Sequence, residues 1–269
     1  MQSEAYKLTG FSAVVSAAGF LLRWLQDLQI LDAETGLAIS GKPISYIVAG
    51  LIILLALGYG AIAFGLKKFY APTEPEKALT GKTFLYTALS VVPSILIGVC
   101  GVILLIRSWP SGQAIVWRLC GASAIAAAFG GIMVARGVSR PENAGSRRVG
   151  IALMILFGCL WLIAEYKTAA SDPVLWRFAV EILAICSALM AFYHMAGYFY
   201  GEPSPRLTVF FCYIGAFLCV MSAVDEHTMA ESVCYGAVAV QLMVWGYALI
   251  LNMRRDGEPE AELPAADEV

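Results

Sequence analysis

The chain reads as an all-α, polytopic membrane protein, a bundle of about eight transmembrane helices. Three observations carry that expectation. Of its 269 residues, 59% are hydrophobic and only 14% are charged, against roughly 25% charged in soluble domains. The mean hydropathy is +0.74. The apolar residues are also gathered into runs of about 20, the length needed to cross a ~30 Å hydrocarbon layer as a helix.

These runs fall at 8–26, 44–66, 83–106, 113–135, 149–165, 174–199, 207–224 and 230–252. Each should be a helix, because a lone strand in lipid leaves its backbone groups unpaired. The first run is apolar from Phe11 to Leu25, but no small-residue cleavage site follows and Arg23 interrupts it, so a span is expected rather than a leader. Its end, RWLQDL, has the mixed character of an interfacial helix. In the second run, Gly58, Gly60 and Gly65 suit close helix packing. Pro93 removes one backbone donor from the third, which should kink there.

The fourth run is the richest in small residues, with Gly121, Ala122, Ser123, Ala124, Ala126, Ala127, Ala128, Gly130 and Gly131. Small side chains let backbones approach, so this helix is expected at the bundle centre, or as a contact for a second copy or another membrane protein. The seven cysteines lie in or beside apolar runs without CxxC or Cys/His spacing, so they read as small buried hydrophobes. Between the first two runs, Leu28 to Ser40 has apolar flanks around Glu-Thr-Gly, the pattern of a small surface hairpin.

Orientation follows from the basic residues of the connections. One side collects Lys7, Lys67, Lys68, Lys77, Lys82, Arg136, Arg140, Arg147, Arg148, Arg206, Arg254 and Arg255; the other has Lys42, Arg107, Lys167 and Arg177. The richer side, which holds both termini, is expected to be cytoplasmic, with the protein in the plasma membrane of a bacterial-type cell. That requires an even number of crossings, and eight is even.

Residues 1–253 should form one integral membrane domain, and 254–269, rich in Pro and Glu, a disordered acidic cytoplasmic tail. FYAPTEPEKALT (Phe69 to Thr80) and FYGEPSPRLT (Phe199 to Thr208) echo each other about half a chain apart. The echo suggests a tandem repeat of four helices, with halves 1–137 and 146–253 in one orientation.

Ionisable groups inside spans are costly in lipid and are functional candidates by default. Arg177 and Glu181, and Arg23 and Asp27, are each four apart on one helical face, which allows local pairing. Arg118 has no acid within a helical turn and cannot shed its proton, so it must snorkel or pair with another helix; Glu165, Glu181 and Asp225 lie at suitable depth. We therefore expect Arg23, Arg118, Glu165 and Glu181 to line an outer polar pocket. His194 lies ~20 Å along the helix from Glu181, too far to form a dyad. It stands as a separate inner polar site, adequately explained by a hydrogen bond to a neighbouring helix. The segment DEHTMAE (Asp225 to Glu231) has donors that suit a metal, but it reads better as a solvated acidic loop.

A net charge of −2 gives no sign of nucleic-acid binding. No HExxH, Walker loop or GxSxG motif is present, so the expectation leans away from an enzyme and names no cofactor or metal. What remains is a small transporter or permease-like protein for an unidentified solute. The alternative is a non-catalytic membrane partner, sensor or assembly subunit.

Overall fold

Every apolar run is a helix in the computed structural model, which describes residues 2–30, 43–66, 69–70, 72, 74–79, 84–108, 115–137, 144–170, 175–225 and 227–255. The long helices are α1 (Gln2–Ile30), α2 (Pro43–Gly65), α4 (Phe84–Ser108), α5 (Ile115–Gly137), α6 (Ala144–Ala169), α7 (Leu175–Tyr200), α8 (Pro205–Ser222) and α9 (Met229–Asn252). These eight are long and apolar enough to cross a membrane. The protein is thus a multi-pass helical membrane protein. Helix α1 runs well past both ends of the first apolar run and takes in Leu28–Ile30. The rest of the expected surface hairpin lies outside the described residues.

Helices α4 to α9 pack in chain order, each against the next, and α9 returns to α4, so six helices close a ring. Helices α1 and α2 lie against α8, and α1 also against α9. In α8 and α9, 67% and 72% of the apolar window is buried, against 22% in α1 and α2. The centre of the bundle is therefore α8 and α9 rather than the small-residue helix α5. Small residues shorten the distance between two backbones; they do not by themselves draw a helix inward.

What the small residues of α5 do is visible at two crossings. A Cβ on Gly121 would stand 2.9 Å from the Gly101 carbonyl oxygen of α4, and one on Gly130 would meet the Gly150 carbonyl of α6. Helix α5 is gripped closely on both sides within its own chain. Pro93 sits inside an unbroken α4. Around it, Ser90 Oγ donates to the Tyr86 carbonyl at 2.9 Å. Gln241, 1% exposed in the middle of α9, is oriented by its network: Nε2 donates to the Ser90 carbonyl at 3.0 Å and Oε1 accepts from Trp245 Nε1 at 2.9 Å. This buried amide at mid-span was not singled out from the sequence.

The end of the bundle where α1 begins and α9 finishes is tied together by its connections. A four-residue helix, α3 (Pro75–Ala78), follows a short strand β1 (Phe69–Tyr70). That strand pairs antiparallel with β2 (Arg254–Arg255), Phe69 opposite Arg255 and Tyr70 opposite Arg254. So the first two residues of the expected tail are paired; 256–269 lie outside the described residues. Asn252 Nδ2 donates to the Ala78 carbonyl at 2.9 Å, and Tyr86 Oη to that of Leu79 at 2.6 Å. The echo partner Phe199–Tyr200 is used differently, as the last turn of α7. Gly201, at φ 88°, then reverses the chain in a conformation that other residues rarely adopt.

Candidate functional site

The opposite end of the bundle gathers buried charge from separate elements. Arg23 lies two turns before the end of α1, Glu181 two turns into α7, and Asp225 in the link between α8 and α9. All three are almost fully buried, at 4%, 2% and 4% exposed. Arg23 Nε donates to Asp225 Oδ1 at 2.7 Å, a salt bridge joining residues 202 apart in sequence. Its Nη1 donates to Gln26 Oε1 at 3.0 Å, which anchors the guanidinium to its own helix.

In the link between α8 and α9, the His227 N–H donates to the Asp225 carbonyl at 2.6 Å. His227 is brought to Glu181, with Nε2 3.7 Å from Oε1. Its ring stacks on Tyr235 at 5.1 Å between centroids. Tyr235 packs in turn against Trp161 at 4.6 Å, and Trp161 Nε1 donates to Glu165 Oε1 at 3.3 Å. An aromatic bridge therefore runs from His227 to Glu165. Glu231 is otherwise employed. With Thr228 it forms a capping box at the start of α9, accepting from the Thr228 N–H at 2.7 Å and donating its own N–H to Thr228 Oγ1 at 3.4 Å.

Of the residues expected in one pocket, Arg23 and Glu181 are brought to the same carboxylate neighbour, Asp225. Glu165 is linked to them through the aromatic bridge. Arg118 donates from Nε and Nη2 to the Ser108 carbonyl at 3.3 Å, binding the last turn of α4. The side chain of Arg177, the expected local partner of Glu181, lies outside the described residues.

The reading of Asp225 to Glu231 as a solvated loop is corrected for Asp225 and His227. Asp225 is buried in an ion pair, and the His227 side chain is 8% exposed. The connection dips into the bundle because Arg23 needs a counter-charge at that depth. Nothing in the sequence around Asp225 marks that partner, since the pairing is between helices.

At the other end, His194 Nδ1 is 2.9 Å from Ser204 Oγ, and the ring stacks on Phe211 at 5.4 Å. Ser204 stands at the N-cap of α8 without capping it through its side chain. Its hydroxyl is turned to the histidine instead.

Fold and site together define a multi-pass helical membrane protein with a buried ionic cluster at one end of the bundle. No family model, curated protein or solved structure matches this chain.

Proposed function

We propose that the protein is a small permease-like protein of the plasma membrane, with both termini cytoplasmic, and that its outward end takes up a small solute at the Arg23–Asp225–Glu181–His227 cluster. The observation that carries this reading is the burial of one guanidinium, two carboxylates and an imidazole contributed by α1, α7 and the α8–α9 link. Charges so buried cost several kcal/mol each in desolvation, and apolar side chains of similar volume stabilise a core as well or better. A bundle that only had to hold together, or to present a face to a partner, would not need them. Outside the cluster, the exposed apolar side chains of α1 and α2 suit contact with lipid.

The test needs no knowledge of the solute. Glu181→Cys in a background freed of the seven native cysteines, reconstituted in liposomes, is exposed to a membrane-impermeant thiosulfonate from one side at a time. A permease should be labelled from both sides, because its site alternates in access. A static partner protein would be labelled from one side or from neither, and that result would remove the transport reading.

A further inference from the structure

We propose that Glu181, Asp225 and His227 form a binding site for a first-row divalent metal cation. Each offers a ligand atom that lies within 4.8 Å of the other two. The cluster is more than a group of neighbouring acids, because two of its atoms are buried without a protein partner. Glu181 Oε2 and Asp225 Oδ2 have no hydrogen-bond partner, in residues 2% and 4% exposed. A buried carboxylate oxygen left unsatisfied costs about 1–3 kcal/mol or more. Two at one place are the signature of a site made for a positive ligand.

The geometry fits an ion at the centre. Metal–oxygen and metal–nitrogen bonds in such sites are ~2.0–2.2 Å, so two donors of one ion stand no more than ~4.3 Å apart. The 3.7 Å between Glu181 Oε1 and His227 Nε2 is too long for a hydrogen bond and falls inside that limit. No separation among the three donors exceeds 4.8 Å, so the donors have to close by at most about half an ångström to meet that limit.

Neighbouring residues hold the donors as the outer partners of metal sites do. The Arg23 guanidinium fixes Asp225 through Oδ1 and leaves Oδ2 to the ion. Tyr235 holds the plane of the imidazole. Charge agrees too, since two carboxylates against the single Arg23 leave one negative charge uncompensated, and a dication reverses it.

The donor set selects the class of ion. Two carboxylate oxygens with one imidazole nitrogen suit Mn²⁺, Fe²⁺, Co²⁺ or Zn²⁺; Ca²⁺ and Mg²⁺ prefer oxygen alone, and the softest ions want sulfur. Three protein donors leave positions for water, so the ion can be exchanged. The assignment stands on the side chains alone and does not need the permease reading.

The test is a titration of the purified full-length protein in detergent with Co²⁺, followed by its visible absorption. The expected result is a d–d spectrum that saturates at one equivalent, lacks the near-ultraviolet band of thiolate ligation, and is displaced by Zn²⁺. Glu181→Gln and His227→Gln should each weaken binding at least tenfold, while His194→Ala leaves it unchanged. Monodispersity on gel filtration shows that each variant is folded, and either one suffices. Absence of a saturable spectrum, as when the two carboxylates share a proton instead, overturns the site; so does a spectrum unaltered in a folded variant. Cobalt binding with one-sided thiosulfonate labelling would leave the metal site standing and remove only the transport reading.

Discussion

At the scale of the residue, the molecule is defined by how it neutralises charge inside the bundle. Arg23 and Asp225 have side chains 5% and 2% exposed, so neither can turn to water if its partner is lost. Arg23→Ala should therefore lower stability by about 3–5 kcal/mol, because it strands a buried carboxylate. The double variant Arg23→Ala, Asp225→Ala should recover part of that loss. Thermal unfolding in detergent of these two variants and of Asp225→Ala closes the cycle; a double-variant loss equal to the sum of the two single losses would show that the pair is not coupled. The site was half legible in the sequence for the same reason. Arg23 and Glu181 stood out because ionisable residues in apolar runs are conspicuous. Asp225 and His227 were visible as possible donors but read as solvated, since they follow the end of a run, where acids and histidines ordinarily face water. Only the fold reveals that this connection turns inward, and that the local Arg23–Asp27 spacing is accompanied by a bond from Arg23 to a residue 202 positions away.

At the scale of the element, spans and their order were readable because lipid imposes one answer on a run of ~20 apolar residues. Which helices lie at the centre was not, because hydropathy is blind to what a helix packs against. Helix α5 shows the distinction: its glycines serve crossings with α4 and α6, whereas α8 and α9 are buried because α1 and α2 cover one side of them. The same substitution should then have opposite effects at two places. Gly130→Ala drives a methyl group into the Gly150 backbone, where neither helix can yield by rotating a side chain. It should cost up to ~3 kcal/mol and loosen the α5–α6 pair. Gly236→Ala in α9 meets nothing within 4 Å and should gain up to ~1 kcal/mol from helix propensity. Unfolding midpoints of the two variants in one detergent give the comparison, and a Gly130→Ala protein as stable as the parent would refute the close crossing.

At the scale of the whole molecule, the even number of crossings rests on a physical link as well as on a count. Strand β1 follows α2 and pairs with β2, which follows α9, and Asn252 binds the carbonyl of Ala78. After two spanning helices and again after eight, the chain is back at the same end of the bundle only if α2 and α9 finish together, as this pairing requires of them. That end also carries Lys7, Lys77, Arg147, Arg148, Arg206, Arg254 and Arg255, whereas Arg107 and Lys167 are at the other. In the proposed orientation, which follows the positive-inside bias, the more basic end is cytoplasmic and the buried ionic cluster faces outward, the side from which the proposed solute and cation would enter. Reporter fusions decide the matter. Green fluorescent protein fused after Val269 should fluoresce and alkaline phosphatase there should be inactive. Fused after Ala170, at the end of α6, the two reporters should exchange behaviour. Fluorescence at Ala170 with phosphatase activity at Val269 would invert the molecule and turn the cluster toward the cytoplasm. Equal behaviour at the two points would place the ends of α6 and α9 on one side, which the ring of six helices cannot accommodate.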